Sequence, residues 1–418
     1  MARLTNTSYS RRMHEINMSV RRRRYLLLRV ADEPALDIWR FFRGEVHIGA
    51  EPRCSLLCPV RGESLPLTPA ELALIMTVPA DRWLTTAELQ NMDGEARMCL
   101  LDLARRGVLL CDPAPESLND LVDGEEVLEQ MQWHDVAAVY QAHSRWKGVV
   151  GNNLLMKDGG DAHEVRLEEL RGVRGDPPPH FVQRSDAQER VPLRVPVLDG
   201  PFFDALLARR TTRAYRSEEP LSASALELML YAVFGTHGIK FFAKDIAAIK
   251  RTSPSGGALH PIEAYVLVIN VQDMPAGLYH YETGAHVLAE LERMDRVNAR
   301  NLACEFTAGQ TYFAEAHALV IHVARFDRNY WKYAQHRKAY KAVLMDSAHL
   351  SQTFYLTAAH LGLGAFYTVA INDADIGSRL RLKPVREAAI AINGFGIADN
   401  GRDDLQFMPD PYRPTGIG

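Results

Sequence analysis

Two prolines and two glycines between residues 254 and 261 constrain this chain more than any other feature. The stretch reads Arg251-Thr252-Ser253-Pro254-Ser255-Gly256-Gly257-Ala258-Leu259-His260-Pro261-Ile262-Glu263, and an apolar run over 265–271 follows it. Gly256 and Gly257 lack a Cβ, so the backbone there can take φ > 0 or lie flat against a ligand. Pro254 and Pro261 stiffen both sides. Such a loop suits a planar ligand held by main-chain hydrogen bonds. A tight turn before a strand would use the same residues, so the neighbours decide between the two readings.

Upstream stands Arg209-Arg210-Thr211-Thr212-Arg213. Guanidiniums give forked, charge-assisted hydrogen bonds to phosphate, and hydroxyls reach sugar oxygens. A solvated basic helix end is the plainer alternative. Ser224-Ala225-Leu226-Glu227 has capping-box spacing, and Leu226, Met229, Leu230 and Val233 repeat at helical intervals. Downstream, Lys332-Tyr333-Ala334-Gln335-His336-Arg337-Lys338-Ala339-Tyr340 precedes a helical pattern over 343–361. Its apolar positions cover most of the circumference, which predicts a buried helix. Gly362 and Gly364 fit its C-cap and a close backbone approach.

These four motifs, in this order, resemble those of SagB-type dehydrogenases, the flavin-dependent azoline oxidases of the nitroreductase superfamily that act in ribosomal peptide maturation. The resemblance covers about residues 200–398. It implies FMN as cofactor. Arg209, Arg210, Thr211 and Arg213 would meet its phosphate and ribityl chain. Pro254, Ser255 and Gly256 would line its ring, and Gly362, Gly364 and Ala365 would form a second wall. Lys332 and Tyr333 match the pair assigned to proton removal, in which a desolvated lysine is the base and tyrosine the relay. Neighbouring residues on a helix project about 100° apart, so both serve one substrate only if the helix starts or breaks there. The resemblance also implies a homodimer with flavin at the interface, a precursor-peptide substrate and a partner cyclisation enzyme. The family pattern often has alanine at the position of Gly256. Arg402 is a candidate for a basic flavin contact near the C-terminus, and Phe366 and Tyr367 carry no assignable role.

At 418 residues the chain exceeds one typical domain. A net charge of −4 predicts no particular affinity for nucleic acid or membranes, and no run of about 18 apolar residues predicts a spanning helix. No signal-peptide pattern opens the chain, which points to the cytoplasm. Cys54 and Cys58 lack a second close Cys/His pair, so no metal site is expected. Residues 1–24 read as a basic arm with Arg3, Arg11, Arg12 and a run of arginines over 21–24. Such an arm either meets an acidic partner or is simply solvated. Over 65–112 the order helix, helix, helix, strand predicts a winged-helix-like domain spanning 25–147. Its third helix sets Arg97, Arg105 and Arg106 against Glu95 and Asp102, a weak face for DNA. Residues 148–199, rich in Gly, Pro and Asp, read as a linker or inserted loop. The expected fold is therefore α+β, with a nitroreductase-like FMN domain over 200–418 and strands near 265–271, 277–281, 318–326, 365–369 and 388–394. Three other functions fit parts of the pattern: a general NAD(P)H-dependent nitro or quinone reductase, a non-catalytic peptide-binding scaffold, and a DNA regulator with a sensory flavin domain.

Overall fold

The computed structural model describes residues 18–36, 48–150, 159–181, 185–191, 193–244 and 246–402. Strand β1 (Ser19–Arg22) leads into β2 (Leu27–Leu36), β3 (Ile48–Leu57) and β4 (Ser64–Leu67), which pair antiparallel in that order. Three helices follow: α1 (Pro69–Thr77), α2 (Thr86–Gln90) and α3 (Gly94–Arg105). Each start is set by the sequence. Thr68 with Glu71 and Thr85 with Glu88 close capping boxes, and Asp93 accepts two first-turn amides. Strand β5 (Leu109–Asp112) then returns to pair antiparallel with β1. The helix, helix, helix, strand order expected over 65–112 is thus the order observed. Helices α4 (Asn119–Met131) and α5 (Asp135–His143) complete this part.

The segment expected as a linker contains a helix, α6 (Gly159–Arg174). Its Leu-Glu-Glu-Leu-Arg run favours helix, with Arg171 reaching Glu168 one turn back. The flanking glycines and prolines hide that run from a compositional reading. Helices α7 (Pro201–Ala208) and α8 (Ala223–Phe234) come next. The cap of α8 is Ser222 rather than Ser224, since Ser222 accepts the Ala225 amide. As expected, Leu226, Met229, Leu230 and Val233 are buried. A small hairpin, β6 (Gly238–Ala243) and β7 (Ile246–Lys250), precedes the main sheet. That sheet is built from β8 (Ile262–Val268), β9 (Gly277–Glu282), β10 (Val287–Arg293), β11 (Ala318–Arg325), β12 (Gly364–Thr368) and β13 (Glu387–Gly396), in the order β10-β9-β8-β11-β13-β12. Its helices are α9 (Arg296–Phe306), α10 (Phe326–Tyr333), α11 (Ala339–His360) and α12 (Asp373–Arg379). Strand β11 is buried from Ala318 to Ala324 on both faces, as a central strand between covered layers must be.

These elements form two compact units. The first holds the described chain up to Arg145 together with Phe326–Tyr340 and Leu382–Glu387. The second holds Trp146–Arg325, Lys341–Arg381 and the chain from Ala388. Aromatic packing explains why 326–340 joins the first unit. Trp133 stands 4.5 Å from Tyr330 and 4.8 Å from Phe326, ring centre to ring centre. The Gln335 amide also donates to the Gln132 carbonyl at 2.7 Å.

Of the basic arm, Arg3, Arg11 and Arg12 lie outside the described residues. The run over 21–24 is structural. Arg21 and Arg24 pair with Glu129, and fully buried Arg23 pairs with Glu125. Cys58 is buried, and its Sγ accepts from Arg23.

Candidate functional site

The second unit gathers the Arg-Thr motif and the glycine wall beside one strand. Thr212 donates its amide to Ala365 at 2.8 Å, and Thr211 bridges Ala365 in parallel, so the motif runs alongside β12. A cavity of about 260 Å³ is lined there by Arg210, Thr212, Tyr355, Gly362, Gly364 and Ala365. Gly364 has a packing reason to be glycine: a Cβ would stand 2.5 Å from the Thr212 methyl. Gly362 has a conformational one. It ends α11 at φ +68, with Leu363 donating back to Ala358.

The arginines of the motif differ in their surroundings. Arg209 lies 5.4 Å over the ring of Tyr355, and Arg210 donates to the Asn400 amide oxygen. Arg213 faces Tyr312, and its Nε is buried with no hydrogen-bond partner. Among the described residues, neither Arg209 nor Arg213 forms an ion pair with a carboxylate. The Thr211 hydroxyl meets the Tyr355 hydroxyl at 3.1 Å. Arg209, without an acid and beside the Thr211–Tyr355 hydroxyl pair, forms a setting that fits a phosphate dianion.

The loop 253–260 is tied to α11 at several points. Ser253 bonds Thr353 at 2.6 Å and the His349 carbonyl at 3.2 Å. Ser255 donates to one carboxylate oxygen of Asp346, and the Gly256 amide donates to the other at 3.2 Å. The Ser255 hydroxyl in turn accepts the His260 amide at 2.9 Å. Burial raises the Asp346 carboxyl above its ordinary range, against the lowering effect of those two donors. The left-handed backbone falls at Gly257 (φ +67), Ala258 (φ +56) and His260 (φ +46), not at Gly256. A Cβ on Gly256 would meet only the Ala342 methyl, at 3.6 Å, so alanine fits there.

Lys332 and Tyr333 belong to the first unit, and the groups above belong to the second. They close α10, whose buried side is Phe326, Asn329 and Tyr330. The chain turns at once, with Gln335 at φ +56. The ammonium of Lys332 folds back to 5.6 Å from the Tyr333 ring centre, so these successive residues do share one place. In this single chain Lys332 is exposed rather than desolvated as the resemblance implies, and Tyr333 is half-buried. Arg402 pairs with Glu315 at 2.8 Å.

Several site residues escaped the sequence reading. Asp346 and Tyr355 sit on α11 and hold the loop and the Arg-Thr motif respectively. Tyr367 reaches Ser347 at 3.4 Å, and Ser347 bonds fully buried His322 at 2.8 Å. Burial pushes His322 down to about 3. Phe366 stacks on Phe313 at 3.6 Å. A carboxylate inside the apolar pattern of α11 was the one sequence signal available, since a buried acid needs donors. Helix α11 is itself less buried than its pattern predicts, because Leu344 and Met345 are exposed. Among the described residues, no helix is long and apolar enough to cross a membrane.

The nitroreductase family model matches residues 206–397. A protein of Methanocaldococcus jannaschii named as a nitroreductase is 31% identical over 43% of this chain and 84% of its own. The trifolitoxin-processing protein of Rhizobium leguminosarum bv. trifolii is 29% identical over 41% of this chain. The microcin B17-processing protein of Escherichia coli is 26% identical over 37%. The match spans only 46% and 57% of those two proteins' own lengths. By its extended match to the archaeal protein and to the family model, this chain belongs to the nitroreductase family.

Proposed function

We propose that this protein is an FMN-dependent dehydrogenase that matures a ribosomally made peptide, most simply by oxidising azoline rings to azoles. The similarity of its nitroreductase region to two peptide-processing proteins carries the reading. The buried, unpartnered Nε of Arg213 and the cavity beside Arg210 and Gly364 support a flavin in the second unit. Arg209, Arg210, Thr211 and Arg213 would hold its phosphate and ribityl groups. Pro254, Ser255 and Gly256 would line one side of its ring, and Gly362, Gly364 and Ala365 the other.

Turning an azoline into an azole removes two electrons and two protons. FMN, when bound, supplies a two-electron acceptor. This chain's own task is to orient the ring and take a proton from its carbon. Lys332 Nζ is the base, and the adjacent Tyr333 hydroxyl relays the proton to water. A precursor peptide as substrate, a cyclisation enzyme as partner, a homodimer with flavin between subunits and a cytoplasmic setting belong to the same proposal. So does a winged-helix-like first unit that contacts the peptide rather than DNA. In support, Arg106 of its third helix is occupied by Glu71, Asp102 and the Pro66 carbonyl.

The test is a visible spectrum of protein purified without added cofactor, then mass determination of any released chromophore. A yellow protein with about one FMN per chain is expected. Lys332→Ala and Tyr333→Phe should then each lower azoline oxidation by about a hundredfold, the usual scale of lost acid–base catalysis, without releasing FMN. A colourless protein that ignores added FMN overturns the reading. The archaeal relative favours a second reading, a general flavin reductase using a nicotinamide donor. Rapid NADH or NADPH consumption with quinones, and none of the peptide chemistry, would select it.

A further inference from the structure

Helix α11 does more than pack against the sheet. Asp346 and Thr353 face the loop 253–260, along with the carbonyl of His349, and these positions recur at helical spacing. The loop needs such support. Gly257, Ala258 and His260 all hold left-handed backbone, and two of them carry a Cβ. Non-glycine residues stay there only when their surroundings over-determine them. One fixed point is the Asp346 carboxylate. One Asp346 oxygen takes the Ser255 hydroxyl and the other takes the Gly256 amide. Ser255 passes the constraint on by accepting from His260, five residues along. Asp346 is itself 5% exposed, so water cannot replace it at little cost.

We propose that Asp346 is a positioning residue for the flavin: its carboxylate latches Ser255 and Gly256 and so holds the strained 255–260 loop in the form that lines the ring. This rests on the flavin reading above. An acceptor on both oxygens is required, which distinguishes aspartate from its nearest neighbours in shape. Asparagine keeps one acceptor for Ser255 and turns a donor toward the Gly256 amide. Alanine keeps neither. Asp346 does not line the cavity at Arg210 and Gly364, and the effect proposed for it on cofactor binding comes through the loop.

Two measurements on the full chain test this. The first is hydrogen exchange of the cofactor-stripped protein, with wild type, Asp346→Ala, Asp346→Asn and Gln352→Ala compared. Gln352 is an exposed residue of the same helix. The latch predicts faster exchange confined to about residues 255–260 in Asp346→Ala, a smaller change in Asp346→Asn and none in Gln352→Ala. The second is FMN titration by flavin fluorescence. Loss of two hydrogen bonds to a charged acceptor should weaken FMN binding about 10- to 100-fold in Asp346→Ala, less in Asp346→Asn, and shift the bound flavin's visible spectrum. Unchanged exchange in the loop overturns the latch even if FMN binds normally. Altered exchange with unchanged FMN affinity and spectrum overturns the link to the cofactor. Wild type that binds no FMN sinks the flavin reading itself, whereas the exchange data would still report on the latch. If Asp346→Ala fails to fold, the same criteria apply to Asp346→Asn.

Discussion

Both units cluster arginines, and they treat them in opposite ways. In the first unit most clustered arginines meet an acid, and Arg22 donates to the Val78 carbonyl. Arg23 is fully buried against Glu125, Arg21 and Arg24 share Glu129, Arg61 reaches Asp120 and Arg106 reaches Glu71. The acids come from helices α1 and α4, so the basic run over 21–24 is answered within its own fold. In the second unit Arg209 rests on an aromatic ring and Arg213 faces a phenol, with no carboxylate on either. A run of basic residues is therefore not a site in itself. What marks a site is positive charge that the fold holds in place and leaves without a counter-ion, because that charge gains most from an anionic ligand.

The sharpest way to break the comparison is to remove an acid from the first unit. Glu125 neutralises Arg23 and also accepts the amides of Arg24 at 2.6 Å and Tyr25 at 3.1 Å. Glu125→Ala leaves a buried guanidinium and two amides unanswered. It should cost about 3–5 kcal/mol in chemical denaturation of the whole chain. A loss below about 1 kcal/mol, the range of exposed pairs, would mean that Arg23 finds water and that its pairing is not structural.

A pH series probes the interior of the second unit. Besides buried Arg251 and Asp346 it holds a buried imidazole, His322, bonded to Ser347. Its folded value is pushed from 6.5 to about 3, while the unfolded chain takes up the proton near 6.5. Stability from this group is complete above pH 6.5 and is lost as pH falls toward 3. The slope is at most about 1.4 kcal/mol per pH unit. His322→Gln should flatten that part of the stability curve. An unchanged curve would show that His322 is protonated or solvated in the fold.

The next effect runs the other way. Arg213→Ala removes a charge that stabilises no carboxylate, so unfolding should move by less than about 0.5 kcal/mol. On the proposed flavin reading, FMN binding should weaken about 10- to 100-fold, the scale of a charge-assisted bond at about 1.5–3 kcal/mol. Arg209→Ala should follow the same pattern. Equal losses of stability and no loss of FMN affinity would make these arginines ordinary fold residues and remove the contrast between the units.

Much of the second unit was legible because its strands are apolar runs ended by turn residues. The runs at 265–271, 277–281, 318–326, 365–369 and 388–394 all correspond to observed strands, shifted by a few residues at most. Strand β10 was not legible. Val287-Leu288-Ala289-Glu290-Leu291-Glu292-Arg293 is rich in helix formers, and its pairing with β9 overrides that propensity. The motif residues could be read as a set of candidates, yet the contacts that support them could not. Asp346 lies 91 residues from Ser255, and Tyr355 lies 144 residues from Thr211. No local pattern encodes such a contact. The grouping of 326–340 with the first unit was hidden for the same reason, since it depends on Trp133, far back in the chain.

The smallest effect is also the most discriminating, because it asks whether Tyr355 belongs to the site or only to the fold. Its ring carries Arg209, its hydroxyl meets Thr211, and it lines the cavity beside Gly364. Tyr355→Phe keeps the ring under Arg209 and deletes only the hydroxyl. Thr211→Ala deletes the other half of the same bond. If the bond serves only to hold the Arg-Thr segment against α11, each variant should cost about 0.5–1.5 kcal/mol of stability, and the double variant little more than either. If the hydroxyls are shared with a bound phosphate, stability should change less than FMN affinity. The two substitutions should then couple in the binding titration, because removing one frees the other to turn toward the ligand. Coupling in stability with none in FMN binding would move Tyr355 and Thr211 to the structural side of the comparison, leaving the cofactor's phosphate to the arginines alone.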